Sequence, residues 1–249
     1  MRLALSALLV GLLLPLGAVS PARASSCTNA RYVTSAPDGM WNNRGYWVHN
    51  NMWNASGYRV SQTLSACSFR NWQVTATADN SRGDGAVKTY PNVHRDFHNW
   101  STGHEPRLSS FSRIRSSWAA RTPHVGIYDA AYDIWLNGVP GEHEVMIWTE
   151  NFHQVPSGSG ASHIATRSFN GHRWKVWATR DNRYIAFVPT RRLTHGTVNI
   201  KGMLSFLVSR GRLPKTVTLG AIDYGFEVVS TGGRPATFKV DSFSLSTKR

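Results

Sequence analysis

Short runs of alternating apolar and polar residues, broken by Gly, Pro, Asn and Ser, constrain this chain more than any other feature. They lie at residues 46–51, 71–76, 130–136, 144–148, 173–177, 184–188, 216–222, 226–229 and 237–245. A two-residue period sends successive side chains to opposite faces of a strand, so each run offers one apolar face for burial. Many short strands with frequent turn residues predict an all-β fold, a jelly-roll sandwich of two curved antiparallel sheets. Residues 197–210 break the period. Val198, Ile200, Leu204, Leu207 and Val208 recur there at helical spacing, and Gly211 and Pro214 follow as stop signals. That predicts one α-helix, packed on the outer side of the sandwich. No repeat or low-complexity linker divides the chain, so residues 25–249 read as one domain.

The first 24 residues stand apart. Arg2 precedes an apolar run that reaches Val19, and Ala22-Arg23-Ala24 forms a small-x-small pattern before Ser25. This is the layout of a cleaved signal peptide. Pro15 and Gly17 interrupt the run, which argues against a membrane anchor, and no later segment has the roughly 18 apolar residues of a spanning helix. The expectation is a secreted, extracellular protein with no membrane span. Outside the cell Cys27 and Cys67 can pair; two free thiols are the alternative. With only 2 cysteines, neither a disulfide-scaffold mini-protein nor a four-cysteine zinc site is possible. A chain with 41% apolar and 17% charged residues is not a disordered one.

Acids are scarce. The chain has 28 Lys plus Arg against 14 Asp plus Glu, and the glutamates are Glu105, Glu142, Glu144, Glu150 and Glu227. In Glu144-Val145-Met146-Ile147-Trp148 the strand period puts Glu144, Met146 and Trp148 on one face, with Val145 and Ile147 toward the core. A carboxylate, a thioether and an indole on one face suggest the wall of a cleft. Asp133 and Trp135 share a face in the same way, and Glu227 alternates with apolar neighbours. Ordinary solvent-facing acids on half-buried strands would account for any one of these. Carboxylates beside indoles, however, suit a sugar, whose flat face stacks on the ring while its hydroxyls bond to the acids. Cleaving a glycosidic bond requires two carboxyl groups, one to attack or to activate water and one to protonate the leaving oxygen.

The same residues resemble glycoside hydrolase family 12, small secreted bacterial endo-β-1,4-glucanases with a jelly-roll fold. Glu144-Val145-Met146-Ile147-Trp148 is similar to the family's nucleophile strand, Glu-x-Met-Ile-Trp. Upstream, Asn50-Asn51-Met52-Trp53-Asn54 resembles its Asn-Asn-x-Trp-Asn segment, and Lys88-Thr89-Tyr90-Pro91-Asn92 resembles Lys-Ser-Tyr-Pro-Asn. Tyr132-Asp133-Ile134-Trp135, Gly171-His172-Arg173-Trp174-Lys175-Val176-Trp177 and Gly225-Phe226-Glu227 resemble three further family segments, in the family's order. The resemblance implies Glu144 as nucleophile of a retaining mechanism and Glu227 as general acid, then base. It implies that Asp133 hydrogen-bonds to Glu144 and holds it. Asn51 and Trp53 would bind glucose units on the non-reducing side of the cut, and Trp135, Trp148 and Met146 would complete the binding surface. Glu142 shares the Glu144 face by parity and is the rival nucleophile on physics alone. Glu227 has to stay protonated, through burial and through its negative neighbours Glu144 and Asp133. The sequence departs from the family pattern after Glu227, where Val228 and Val229 replace an aromatic residue, and in the short span from Asp133 to Glu144.

The implied substrate is cellulose or a related β-glucan, cut internally, with no metal and no cofactor, by a monomer. A formal charge of +14, two of it from Arg2 and Arg23, is not needed for a neutral glucan. It would draw anionic cell-wall polymers to the surface, or simply aid solubility. Nucleic acid is not an expected partner. His94, His98 and His104 with Asp96 and Glu105 match no zinc spacing well and read as structural. Residues 157–160 read as a flexible loop at the cleft edge, and Asn54 and Asn99 begin glycosylation sequons. Two rival functions remain: a non-catalytic carbohydrate-binding jelly roll, and a polysaccharide lyase acting on an anionic polymer.

Overall fold

The computed structural model describes residues 27–98 and 103–249, so the leader (residues 1–24) and the Asn99 sequon lie outside the described residues. In chain order the strands are β1 (Tyr32–Thr34), β2 (Met40–Asn43), β3 (Tyr46–His49), β4 (Val60–Ser68), β5 (Asn71–Ala78), β6 (Asn92–Asp96), β7 (Arg113–Arg121) and β8 (Ile127–Gly138). They continue with β9 (Gly141–Phe152), β10 (Ser162–Phe169), β11 (His172–Ala178), β12 (Tyr184–Pro189), β13 (His195–Val198), β14 (Leu219–Ser230) and β15 (Ala236–Lys248), and one α-helix, α1 (Ile200–Ser209), precedes β14.

Two sheets form. One has the order β1-β4-β5-β15-β7-β13, the other β10-β11-β12-β9-β8-β14-β6-β3-β2. Their facing surfaces share one core, with Leu64, Trp72, Val74, Trp118, Phe238 and Phe243 from the first and Tyr132, Ile134, Val145, Ile147, Tyr224 and Phe226 from the second. These are the apolar halves of the alternating runs, and the sandwich buries them because each sheet has one apolar face to hide. Cys27 and Cys67 are joined in a disulfide.

Three details differ from the sequence expectation. The sheets are not wholly antiparallel, because β12 pairs with β9 in parallel. The helix does not lie on the outer side. Asn199 caps it, its side chain accepting from Gly202 N at 3.0 Å, while residues 197 and 198 stay in β13, paired with β7. Its apolar stripe, Ile200, Met203, Leu204 and Leu207, joins the main core. Phe206 packs edge-on against Phe169 of β10, so α1 closes the gap between the edge strands β13 and β10. Finally, residues 216–222 and 226–229 are not two strands. Gly225 does not turn the chain but keeps β14 continuous where the neighbouring strand crowds it: a Cβ there would sit 2.1 Å from the Pro91 carbonyl oxygen.

The parallel pair builds a wall. Through β11 and β12, Ser162 at the start of β10 is level with Val145 of β9. The chain leaves β9 at Phe152 and must travel back about seven residues' worth of strand, ~23 Å, before β10 can begin. Residues 153–161 make that return, including the short 3-10 turn Pro156–Ser159, and they border the open face of the second sheet.

Candidate active site

The outward face of the second sheet carries the candidate residues. Across β9, β8 and β14, register sets four rows: Glu144, Trp135 and Ala221; Met146, Asp133 and Asp223; Trp148, Ala131 and Gly225; then Asp129 with Glu227. On either side, β12 sets Tyr184 beside Glu144, and β6 sets Asn92 beside Gly225 and His94 beside Asp223. Ala131 and Gly225 put no bulk beside Trp148 in the third row.

Two adjoining cavities of about 580 and 600 Å³ lie on this face, and Trp53, Glu144 and Glu227 border both. The first also takes Asn51, Trp135, Asp133, Asp223, His49 and His94. The second takes Trp148, Tyr184 and the return segment of residues 153–159. Glu144 and Glu227 therefore stand at the junction of one groove. Register alone does not bring them there. Glu144 lies opposite Trp135 and Glu227 opposite Asp129, six residues apart on β8, or ~20 Å along a flat strand. Both nevertheless border the same two cavities, and the charge of Glu227 is felt at Glu144.

The expected cleft residues divide. Asn51, in a left-handed conformation (φ 40°), accepts from Tyr90 N at 2.9 Å through its backbone and borders the first cavity. Trp53, 63% exposed, borders both cavities. Met146 and Trp148 are floor rather than exposed wall. Both are buried with Ala131, Ala186 and Val188, and the Met146 sulfur accepts from Trp148 Nε1 at 3.3 Å and Tyr184 OH at 3.4 Å. Glu142 is outside the groove, its carboxylate accepting from Asn137 Nδ2 at 2.9 Å in the β8–β9 hairpin.

Burial dominates the electrostatics. It pushes the Glu144 carboxyl up to about 8, helped by the charge of Glu227. Glu227 is raised by burial and drawn down again by a hydrogen bond with Asp129. The negative neighbours expected to raise Glu227 thus act elsewhere: on Asp133, where burial leads and Glu144, Asp223 and Glu227 add to it, and on Asp129, where burial leads and Glu227 comes next. Burial likewise lowers His49 to about 4 and His94 to about 3, leaving neutral imidazoles in the first cavity. Among the described residues no Arg or Lys borders either cavity. A groove this crowded with acids keeps protons on some of them at neutral pH, and it presents carboxylic acid and carboxylate side by side. Among the described residues no three His, Cys, Asp or Glu side chains converge as a metal site; His94 bonds to Asn92 and His98 pairs with Asp96.

Sequence reasoning missed Asp129, Asp223 and Tyr184. Asp129 lies four residues before Asp133 and Asp223 four before Glu227, so the two-residue period already put both on the groove face.

The family model of glycosyl hydrolase family 12 matches residues 44–248. Endoglucanase S of Pectobacterium parmentieri is 24% identical over 167 residues, 60% of this chain and 63% of that relative, so the match spans less than two thirds of the curated relative's length. The xyloglucanase domain of NopAA, a type three effector from Sinorhizobium fredii, solved with cellobiose, is 26% identical with a TM-score of 0.73, covering 88% of this chain and 100% of that one. Endoglucanase cel12A from Rhodothermus marinus is 26% identical with a TM-score of 0.71, covering 87% of this chain and 100% of the other.

Proposed function

The chain belongs to glycosyl hydrolase family 12, and on that footing we propose that it hydrolyses internal β-1,4-glucosidic bonds of cellulose or a related β-glucan with retention of configuration. One observation carries this reading: Glu144 and Glu227, from separate strands, border both halves of a single groove. A sugar laid across the junction has a carboxyl on each side of its anomeric carbon. In the reactive protonation state Glu144 is the carboxylate, a minority form at neutral pH because burial pushes its carboxyl up to about 8, and it attacks that carbon while Glu227 as acid protonates the departing glycosidic oxygen. Glu227, now ionised, then takes a proton from the water that cleaves the glycosyl–enzyme ester. Asp133, one row from Glu144, is held protonated by burial first and by the Glu144 charge next, and in this reading it steadies the nucleophile. Asn51, Trp53 and Trp135 hold the glycone units, and the neutral His49 and His94 offer hydrogen bonds to their hydroxyls. Residues 153–159 and Trp148 border the leaving-group units.

The protein is secreted in this reading, which rests on the basic, apolar and small-residue pattern of residues 1–24 and on the paired Cys27 and Cys67. The basic exterior favours anionic cell-wall polymers as a resting surface, away from the acid-lined groove. A lyase acting on uronates is disfavoured, since that chemistry neutralises a carboxylate with a cation, and among the described residues no Arg or Lys borders either cavity.

The test is a substrate panel of carboxymethylcellulose, mixed-linkage glucan, xyloglucan, glucomannan and alginate, read by new reducing ends, with the anomer of the first product followed by NMR. The β-anomer formed first from a β-glucan supports retention. Turnover that survives in both Glu144→Gln and Glu227→Gln refutes the assignment. Binding without turnover in the unaltered protein leaves a carbohydrate-binding jelly roll.

A further inference from the structure

We propose that Asp129 is a positioning residue for the acid/base step: it keeps its own proton and donates it as a hydrogen bond to Glu227 throughout the reaction. The inference rests on the assignment of Glu227 as acid and base.

Its geometry is that of a carboxyl with one possible partner. Asp129 is completely buried and directly opposite Glu227 in the β8–β14 register. Among the described residues no N–H or hydroxyl meets either of its oxygens. Asn151, its register partner on β9, spends its amide on the Gln154 carbonyl at 2.8 Å. The other titratable groups on this face offer it no cation. Asp133 and Glu144 are acids. Tyr90 donates to the Ala131 carbonyl at 3.0 Å and Tyr184 to the Met146 sulfur. On the flanks, Lys88 Nζ is held by the Ala86 carbonyl and the Tyr58 ring, the carboxylate of Glu150 is engaged by Thr122, Tyr128 and His124, and the His153 ring by the Gly126 carbonyl. An ionised Asp129 would be a buried, unpaired charge beside other acids, an arrangement proteins avoid by retaining the proton. A buried O–H in turn requires an acceptor, and the carboxyl of Glu227 is the one opposite. The hydrogen bond lowers Glu227 against the upward push of burial, as a donor to the charged form does.

The step balances without any further reactant. When Glu227 gives its proton to the leaving oxygen and the glycosidic C–O bond breaks, the new carboxylate already faces the Asp129 O–H, and the bond between them becomes charge-assisted. When the incoming water is deprotonated, its proton returns to Glu227, and Asp129 has kept its own. The carboxylic acid thus makes the buried Glu227 a competent acid near neutrality without trapping it as one.

The experiment compares Asp129→Asn and Asp129→Ala with the unaltered protein, following kcat/KM against pH on a soluble mixed-linkage β-glucan, with thermal unfolding as the check on folding. An amide still donates, so D129N is expected to keep its alkaline limb in place and its kcat within about 5-fold. D129A loses the donor, so its alkaline limb should move up by about one pH unit and its kcat fall ~10–100-fold. A D129N limb displaced downward by about one unit would mean that Asp129 is ionised and accepts from Glu227, which overturns the proposal. So would an unaltered profile in a folded D129A. If D129A fails to fold, infrared spectroscopy decides: the carbonyl stretch of a buried protonated acid must be present in the unaltered protein and lost in D129N. Failure of the underlying assignment reads differently, as turnover retained by Glu227→Gln.

Discussion

Replacing Glu144 by Gln should abolish turnover and at the same time stabilise the fold, by an amount that grows with pH. The unfolded carboxyl titrates at 4.5, and burial beside Glu227 raises it to about 8 in the folded protein. Below pH 4.5 the group is protonated in both states and contributes no difference. Between those values the unfolded chain loses a proton that the folded one retains. Each pH unit there lowers the stability of the unaltered protein by ~1.4 kcal/mol. The deficit reaches ~3 kcal/mol at pH 7 and levels off near 5 kcal/mol above pH 8. Glutamine carries no such deficit. For a domain of this size ~3 kcal/mol corresponds to a rise in Tm of roughly 6–12 °C. Calorimetry of both proteins from pH 4 to 8 would measure it. The two melting curves should nearly coincide at the acid end and separate steadily toward the alkaline end. A Tm difference that is flat across this range, or one that shrinks as pH rises, would refute the burial argument even if the variant were inactive. Because part of the shift comes from Glu227, Glu144→Gln and Glu227→Gln combined should gain less than the sum of the two.

Three other outcomes follow from the geometry. Trp53→Ala, at a side chain that borders both cavities and is mostly exposed, should raise KM about 5-fold through loss of ~1 kcal/mol of stacking, with Tm nearly unchanged; steady-state kinetics beside a melt would expose any structural role. Opening the Cys27–Cys67 link, which closes 40 residues of chain, should cost ~3–4 kcal/mol, measured by denaturant unfolding with and without reductant. Gly225→Ala forces its Cβ against the Pro91 carbonyl, and a loss of ~2 kcal/mol or more in the same assay is expected; a neutral result would mean that β6 and β14 can separate without penalty.

Much of the second sheet was legible along the chain. The runs around Asp133, Glu144 and Tyr184 are strands at the expected places, and the parity that sends Ile134, Val145 and Ile147 inward sends Asp133, Trp135 and Glu144 to the groove. Parity misled at Met146 because it assigns a face and says nothing of what covers it; Ala186, Val188 and Tyr184 of β12 do the covering, whereas Trp148, buried in the same cluster, still borders the second cavity. Gly225 looked like a break in a strand because its reason, the approach of Pro91, comes from a segment more than a hundred residues earlier. The helix was displaced by three residues because residues 195–198 are held by pairing to β7, which outweighs helical spacing.

The linear order of residues by itself determined which side chains face the groove and which face the core, since a two-residue period is a local property of the backbone. It determined the helix stripe and the scarcity of acids that makes each one informative. The tertiary structure alone decided that β12 returns parallel to β9, so that residues 153–161 wall the groove, and that Asp129 meets Glu227 across two strands. It also decided that Glu144 and Glu227, six residues out of step on a flat sheet, share one cavity. Strand neighbours and sheet curvature arise from how two apolar faces pack over a common core, a many-body outcome that no local period encodes.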